Sequence, residues 1–162
     1  MPSLEPLPAG VSLRPEGPED RGFLETLFVA VRWHEFDAAG WPDEFRRQFL
    51  ADQFALQSRH YAQHYVGAEF SIVERKGEPI GRLYVFDGAD KIRIVDISLL
   101  PEIRGKGLGT ILLKAVLARG AVAQKAVTIH VEQFNPARRL YRRLGFTEGS
   151  SDGPYIYMEW RP

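Results

Sequence analysis

The chain has no cysteine among its 162 residues. That absence excludes disulfides, thiolate metal sites and a cysteine nucleophile. It suits a reducing compartment, so a cytoplasmic location is the expectation. Long apolar runs are also missing. None approaches the ~20 residues that a membrane span needs, so no membrane partner is expected. The opening Met1–Pro8 has neither a basic stretch nor an apolar one, and no secretory signal is expected there. There is no internal repeat, no low-complexity segment and no linker, which at this length predicts one domain over residues 1–162. Neither sign of charge is in surplus, with 21 basic and 21 acidic residues. Hydrophobic residues make up 44% of the chain, enough for an ordinary soluble core.

The balanced total hides an uneven distribution. Residues 1–100 carry a net charge of −5, residues 101–145 a net +7 and residues 146–162 a net −2. A cationic stretch in a neutral protein suggests one bound polyanion, or else only a solvated basic face. A nucleic-acid partner is not expected, because the overall charge is zero.

Apolar spacing and turn residues divide the chain into elements. Val11–Arg14 reads as a short strand. Glu19 to about Arg32 has helical spacing in Phe23, Leu24, Leu27, Phe28 and Val31. A second helix is predicted from near Pro42 to about Tyr65, after an aromatic loop over residues 33–41. Phe70–Arg75 and Pro79–Phe86 read as strands joined at Lys76-Gly77-Glu78, and Lys91–Leu100 as a third. A helix from Gly107 to about Arg119, closed by Gly120, is followed by a strand over Ala126–Glu132. Asn135–Leu144 is predicted as a helix capped by Asn135, and Phe146-Thr147 and Tyr155–Trp160 finish the sheet. Hairpin strands followed by strand–helix–strand crossing predict a mixed α/β (α+β) layer fold.

The segment Leu99-Leu100-Pro101-Glu102-Ile103-Arg104-Gly105-Lys106-Gly107-Leu108-Gly109-Thr110 joins a predicted strand to a predicted helix. Three glycines at alternate positions free the backbone to turn its N–H groups toward one point. That point is also the positive end of the following helix, so the loop reads as a cradle for a phosphate or pyrophosphate. The Gly-Lys-Ser/Thr of a P-loop is absent. The spacing is also wrong for a dinucleotide fingerprint, and the next 20 residues contain no acidic side chain.

Arg104-Gly105-Lys106-Gly107-Leu108-Gly109 resembles the Gln/Arg-x-x-Gly-x-Gly/Ala signature of the GNAT superfamily of N-acetyltransferases. Asn135 through Phe146, with Leu140-Tyr141 and Leu144-Gly145-Phe146, is similar to that family's second signature. The resemblance covers about residues 70–160. It implies a mostly antiparallel sheet of six or seven strands with four helices, its central parallel strands splayed to hold acetyl-CoA. It implies acetyl-CoA as co-substrate, no metal, and transfer of the acetyl group to a primary amine of a small molecule or protein. Carried over, the backbone of Ile97, Ser98 and Leu99 would pair with the pantetheine arm. Arg104, Gly105, Lys106, Gly107, Leu108, Gly109 and Thr110 would hold the pyrophosphate. Asn135 would face the pantetheine, Tyr141 would sit near the sulfur, and Lys106, Arg138, Arg139 and Arg142 would meet the polyanion.

The chemistry needs a deprotonated amine, a donor to the oxyanion and a proton for the thiolate. The Leu99 N–H is the candidate oxyanion donor, and Tyr141 the candidate acid. His130 is a candidate base, because it titrates near neutrality and shares a strand face with Thr128 and Glu132. Asp96 and Ser98 on the neighbouring strand face are expected to approach it. Glu69 or a water relay are the alternatives. With no cysteine, direct attack in a ternary complex is expected. A CoA-binding regulatory module without turnover is the rival reading. Trp33, His34, Glu35, Asp37, Trp41 and Tyr61 would line a pocket for a cationic amine, pack in the core, or form a homodimer contact; packing is the expectation.

Overall fold

A computed structural model describes residues 7–162; the opening stretch read above for a leader lies, up to Pro6, outside them. Seven strands form one sheet: β1 (Val11–Pro15), β2 (Glu69–Arg75), β3 (Glu78–Asp87), β4 (Lys91–Leu99), β5 (Ala126–Glu132), β6 (Thr147–Asp152) and β7 (Tyr155–Trp160). Their spatial order is β1-β2-β3-β4-β5-β7-β6. Only β4 and β5 are parallel neighbours. The four α-helices are α1 (Arg21–Arg32), α2 (Asp43–His64), α3 (Leu108–Ala123) and α4 (Arg138–Arg143).

Strand alternation sorts the side chains between two faces. Val73, Leu83, Val85, Ile92, Ile94, Val127, Ile129, Val131, Ile156 and Met158 turn to one face. There they pack with Leu112, Leu113 and Val116 of α3 and Tyr141 of α4. Ile72 turns the other way and joins Leu24 and Phe28 of α1 with Leu50 and Phe54 of α2. Arg82 and Tyr84 of β3, Asp96 and Ser98 of β4, and His130 of β5 lie on this second, more polar face.

Two features of the sheet create a gap. The β4–β5 ladder runs from Lys91↔Ala126 to Ile94↔Ile129 and stops there, although β4 continues to Leu99 and β5 to Glu132. At the same point the β3–β4 register shifts between Tyr84 and Val85, leaving Val95 as an extra residue in β4. Such a bulge bends and twists its strand. Here the bend carries the second half of β4 away from β5.

Two helix boundaries differ from the sequence expectation. Helix α3 passes through Gly120 and ends at Gln124, which takes a left-handed φ of 55°. Gly120 is required for contact instead of termination. A Cβ there would stand 2.8 Å from Val127 Cγ2 and 3.0 Å from the Lys125 carbonyl oxygen. Near the other motif, the α-helix begins at Arg138 and not at Asn135. The Asn135 side chain still accepts the Ala137 N–H at 2.9 Å, but it closes a turn ahead of the helix.

Candidate active site

The glycine loop follows β4 directly. A short 3-10 turn over Pro101–Ile103 buries Ile103 and leaves Arg104, Gly105, Lys106 and Gly107 exposed. Gly105 and Gly107 have φ of +79° and +82°, conformations that side-chain-bearing residues rarely adopt. These turns end at the first residue of α3. Leu108, Gly109 and Thr110 therefore present first-turn N–H groups that have no intrahelical partner. The first helical bond is Ile111 N–H to Gly107 O, 3.1 Å. Leu108 is buried beneath the loop and fixes it.

Backbone direction on the freed half of β4 follows from one bond. Leu100 N–H donates to Ile80 O on β3 at 2.9 Å. Alternation turns the N–H and C=O of Leu99 and Ile97 the opposite way, into the gap. Ser98 faces β3, where its carbonyl oxygen would collide with any Cβ placed at Gly81. The expectation that Ser98 offers backbone to a ligand is therefore corrected. Its hydroxyl instead donates to Asp96 Oδ1 at 2.7 Å.

Tyr141 of α4 is buried, with its ring 5.7 Å from that of Phe146. Burial, followed by the nearby Asp96 carboxylate, pushes its pKa up to about 12. The phenol keeps its proton throughout the neutral range. His130 lies on the opposite face of the sheet, one residue past the end of the β4–β5 ladder. Its ring is 5.4 Å from Tyr157, and its Nδ1 is buried without a partner. Desolvation and then the Arg93 guanidinium lower its pKa, against a smaller opposing pull from Asp152. The imidazole is thus neutral at pH 7 and able to accept a proton.

The expected approach of Asp96 to His130 does not occur. Asp96 Oδ2 accepts from Arg82 at 2.8 Å and Tyr61 at 3.0 Å, and its Oδ1 accepts from Ser98. Arg82 also donates to Gln57 Oε1 at 2.8 Å. Burial opposes the Arg82 charge most strongly, but Asp96 together with Tyr84 and Tyr61 outweighs it, leaving the pKa above the ordinary value. Glu69 is likewise removed as a base, because it is paired with Arg119. Of the candidate acceptor residues, Trp41 packs with Phe36, Phe45 and Phe49, Asp37 pairs with Arg46, and Tyr61 of α2 hydrogen-bonds Asp96 on the sheet.

The basic segment is also partly committed. Arg138 and Arg142 both bind Glu148 at 2.6 Å. That one carboxylate offsets one of their two charges, so the pair is less free to meet a polyanion than the sequence expectation had it. Sequence reasoning missed Arg82 and Gln57. One signal was available for Arg82: a charge alternating with Tyr84 and Phe86 in an otherwise apolar strand. No group of three or more His, Asp or Glu side chains able to hold a metal occurs among the described residues. Also among those residues, no helix is long and apolar enough to cross a membrane.

This arrangement has relatives. The profile of the Acetyltransferase (GNAT) family matches residues 28–146. A mycothiol acetyltransferase from Actinosynnema mirum is 32% identical over 168 residues, covering 96% of this chain and 50% of that protein. The chain thus spans about half the length of this curated relative. The PaiA N-acetyltransferase from Thermoplasma acidophilum, solved in complex with coenzyme A, superposes with a TM-score of 0.68 at 20% identity, over 94% of this chain and 99% of that one. An acetyltransferase from Thermus thermophilus gives 0.65 at 18% identity, over 92% and 94%. The two solved structures speak for the fold, and the family match spans the gap, the glycine loop and Tyr141: the chain belongs to the GNAT acetyltransferase family.

Proposed function

We propose that the protein transfers an acetyl group from acetyl-CoA to a primary amine by direct attack in a ternary complex. The observation that carries this reading is the gap itself. It opens where the β4–β5 ladder ends at Ile94 and Ile129, and leads to a loop whose two left-handed glycines precede α3. Freed strand edge and exposed amides are what an extended amide-bearing arm and a pyrophosphate require. The residues therefore fit the carrier. Ile97 and Leu99 would hold the pantetheine by their backbone, and the amides of Gly105 to Thr110, with Arg104 and Lys106, the pyrophosphate. Asn135, in the turn ahead of α4, would face the pantetheine.

Acetyl-CoA supplies an activated acetyl group. The remaining work belongs to this chain. The Leu99 N–H points into the gap, where it can stabilise charge developing on the acetyl oxygen. The Tyr141 O–H is held protonated and is available to the leaving sulfur. The neutral His130 imidazole accepts the proton that the acceptor's ammonium must lose before its nitrogen attacks, directly or through water.

Calorimetry with acetyl-CoA, followed by a thiol-release assay over an amine panel, tests the reading. Expected are a saturable heat of binding, amine-dependent thiol release, and initial-rate lines that intersect. Absence of binding overturns the proposal. Binding without release to any amine establishes a carrier-binding module, and parallel lines exclude the ternary complex.

A further inference from the structure

A second hollow of about 510 Å³ lies on the polar face, between α1 and α2 and over β2 and β3. Its floor and walls are aromatic: Phe70, Tyr84, Phe54 and Tyr61. The Phe70 and Tyr84 rings stand 4.8 Å apart edge to face, and those of Tyr61 and Tyr84 are 5.9 Å apart. The charges around it are arranged unevenly. At the inner end, Arg82 and Tyr61 both bind Asp96, which sits just past the bulge where the gap begins. The hollow and the gap therefore share a wall.

At the mouth stand two opposite charges, Glu16 and Arg21, that form no ion pair among the described residues. One oxygen of Glu16, Oε1, is buried with no hydrogen-bond partner. The Tyr84 hydroxyl is beside this carboxylate. Arg21 opens the same hollow, with its guanidinium 5.3 Å above the Phe54 ring, and forms no ion pair among the described residues. A buried acceptor without a donor costs about 1–3 kcal/mol. A carboxylate and a guanidinium that share an opening but do not pair can instead be satisfied together by a zwitterion. Arg82, which lines the same hollow, has its Nε buried without a partner.

We infer that this hollow is the acceptor's berth, and that the acceptor is a free diamino acid. Its ammonium–carboxylate head seats between Glu16 and Arg21, its methylenes lie along the aromatic walls, and its terminal amine is delivered toward Asp96 and the gap. The inference rests on the proposed acetyl transfer and names its substrate class. Aromatic faces also favour the cationic tail as it passes. In the reaction the side-chain nitrogen bonds the acetyl carbon as the carbon–sulfur bond breaks. The amine proton goes to His130 or water, the thiolate takes a proton, and the α-amine is left free.

Binding is measured by calorimetry on the protein saturated with coenzyme A, using L-lysine, L-ornithine, cadaverine and Nα-acetyl-L-lysine N-methylamide. L-lysine or L-ornithine is expected to bind at least about tenfold more tightly than either headless analogue. Glu16→Gln and Arg21→Gln should each weaken that binding about tenfold while leaving coenzyme A affinity unchanged, which also reports that they fold. With acetyl-CoA, mass spectrometry should find the acetyl group on the side-chain nitrogen. Equal binding of cadaverine or of the blocked lysine overturns the inference. So does acetylation of other amines with no binding of a diamino acid, which leaves the acetyl-transfer reading standing. Failure to bind coenzyme A at all defeats that earlier reading instead.

Discussion

At the scale of single residues, environment separates two groups that the sequence presents only as a tyrosine and a histidine. Tyr141 is pushed up to about 12 by burial and by Asp96, so its phenol stays protonated at neutral pH and suits the proposed acid role. His130 is moved the other way by desolvation and Arg93, which favours the neutral imidazole that the proposed base role needs. Removing the phenolic oxygen in Tyr141→Phe should lower kcat about 10²-fold with little change in acetyl-CoA affinity, since the ring still fills its place beside Phe146. A kcat within twofold of the parent's would exclude the acid role. His130→Ala carries a pH signature. Below the amine's pKa of ~10.4 the acceptor is an ammonium and needs a base, whereas above it the free amine does not. The loss in kcat/KM should be largest near pH 7 and shrink as pH approaches that of the free amine. A loss of the same size at every pH would make His130 structural. Both residues are visible in the sequence, but their roles could be ranked only once Arg93, Asp96 and Asp152 were placed around them. Asp96 shows why. Its partners Tyr61 and Arg82 are 35 and 14 positions away and come from a helix and a neighbouring strand. Nothing local announces that meeting.

At the scale of elements, two glycines of the same segment serve different ends. Gly107 is exposed, holds a φ of +82°, and has open space where a Cβ would go. Gly120 is buried, helical, and has no such space. Gly107→Val should therefore cost only the ~1–2 kcal/mol of left-handed strain, while obstructing any anion on the loop and weakening acetyl-CoA binding well over tenfold. Gly120→Val must drive a side chain into Val127 and the Lys125 carbonyl, which costs about 2 kcal/mol or more of fold stability. Its folded fraction should bind acetyl-CoA like the parent. Urea unfolding and calorimetry on both variants check the contrast, and an exchange of the two phenotypes would contradict it. The strands were legible because alternation is local: β5 begins and ends where the sequence predicts. The gap was legible only through the family motif. The extra residue at Val95 has no residue type that marks it, and the point where β4 and β5 part depends on pairing across α3. Gly120 was misread as a stop because contact and termination can both demand the same residue.

At the scale of the whole molecule, the +7 segment is smaller in effect than in count. Arg119 and Lys125 are drawn to Glu69 and Asp87 across the sheet, and Arg138 and Arg142 to Glu148. Arg104 and Lys106, exposed at the glycine loop, form no ion pair among the described residues. The positive field therefore covers both the loop before α3 and α4, where Arg139 and Arg143 form no ion pair among the described residues and Glu148 offsets one of the two charges of Arg138 and Arg142. The Debye length falls from roughly 14 Å at ~0.05 M salt to ~4 Å at ~0.5 M, so attraction to an exposed polyanion weakens across that range. Acetyl-CoA binding to the parent should lose several-fold in affinity between those concentrations. The Arg104→Ala, Lys106→Ala double variant should bind more weakly at low salt and show a much flatter dependence. Arg138→Gln with Arg142→Gln should change the slope less, because Glu148 already holds both guanidiniums and offsets one of their two charges. If the slope instead survives the first pair of substitutions and disappears with the second, the polyanion lies against α4 and the charge assignment to the loop is wrong.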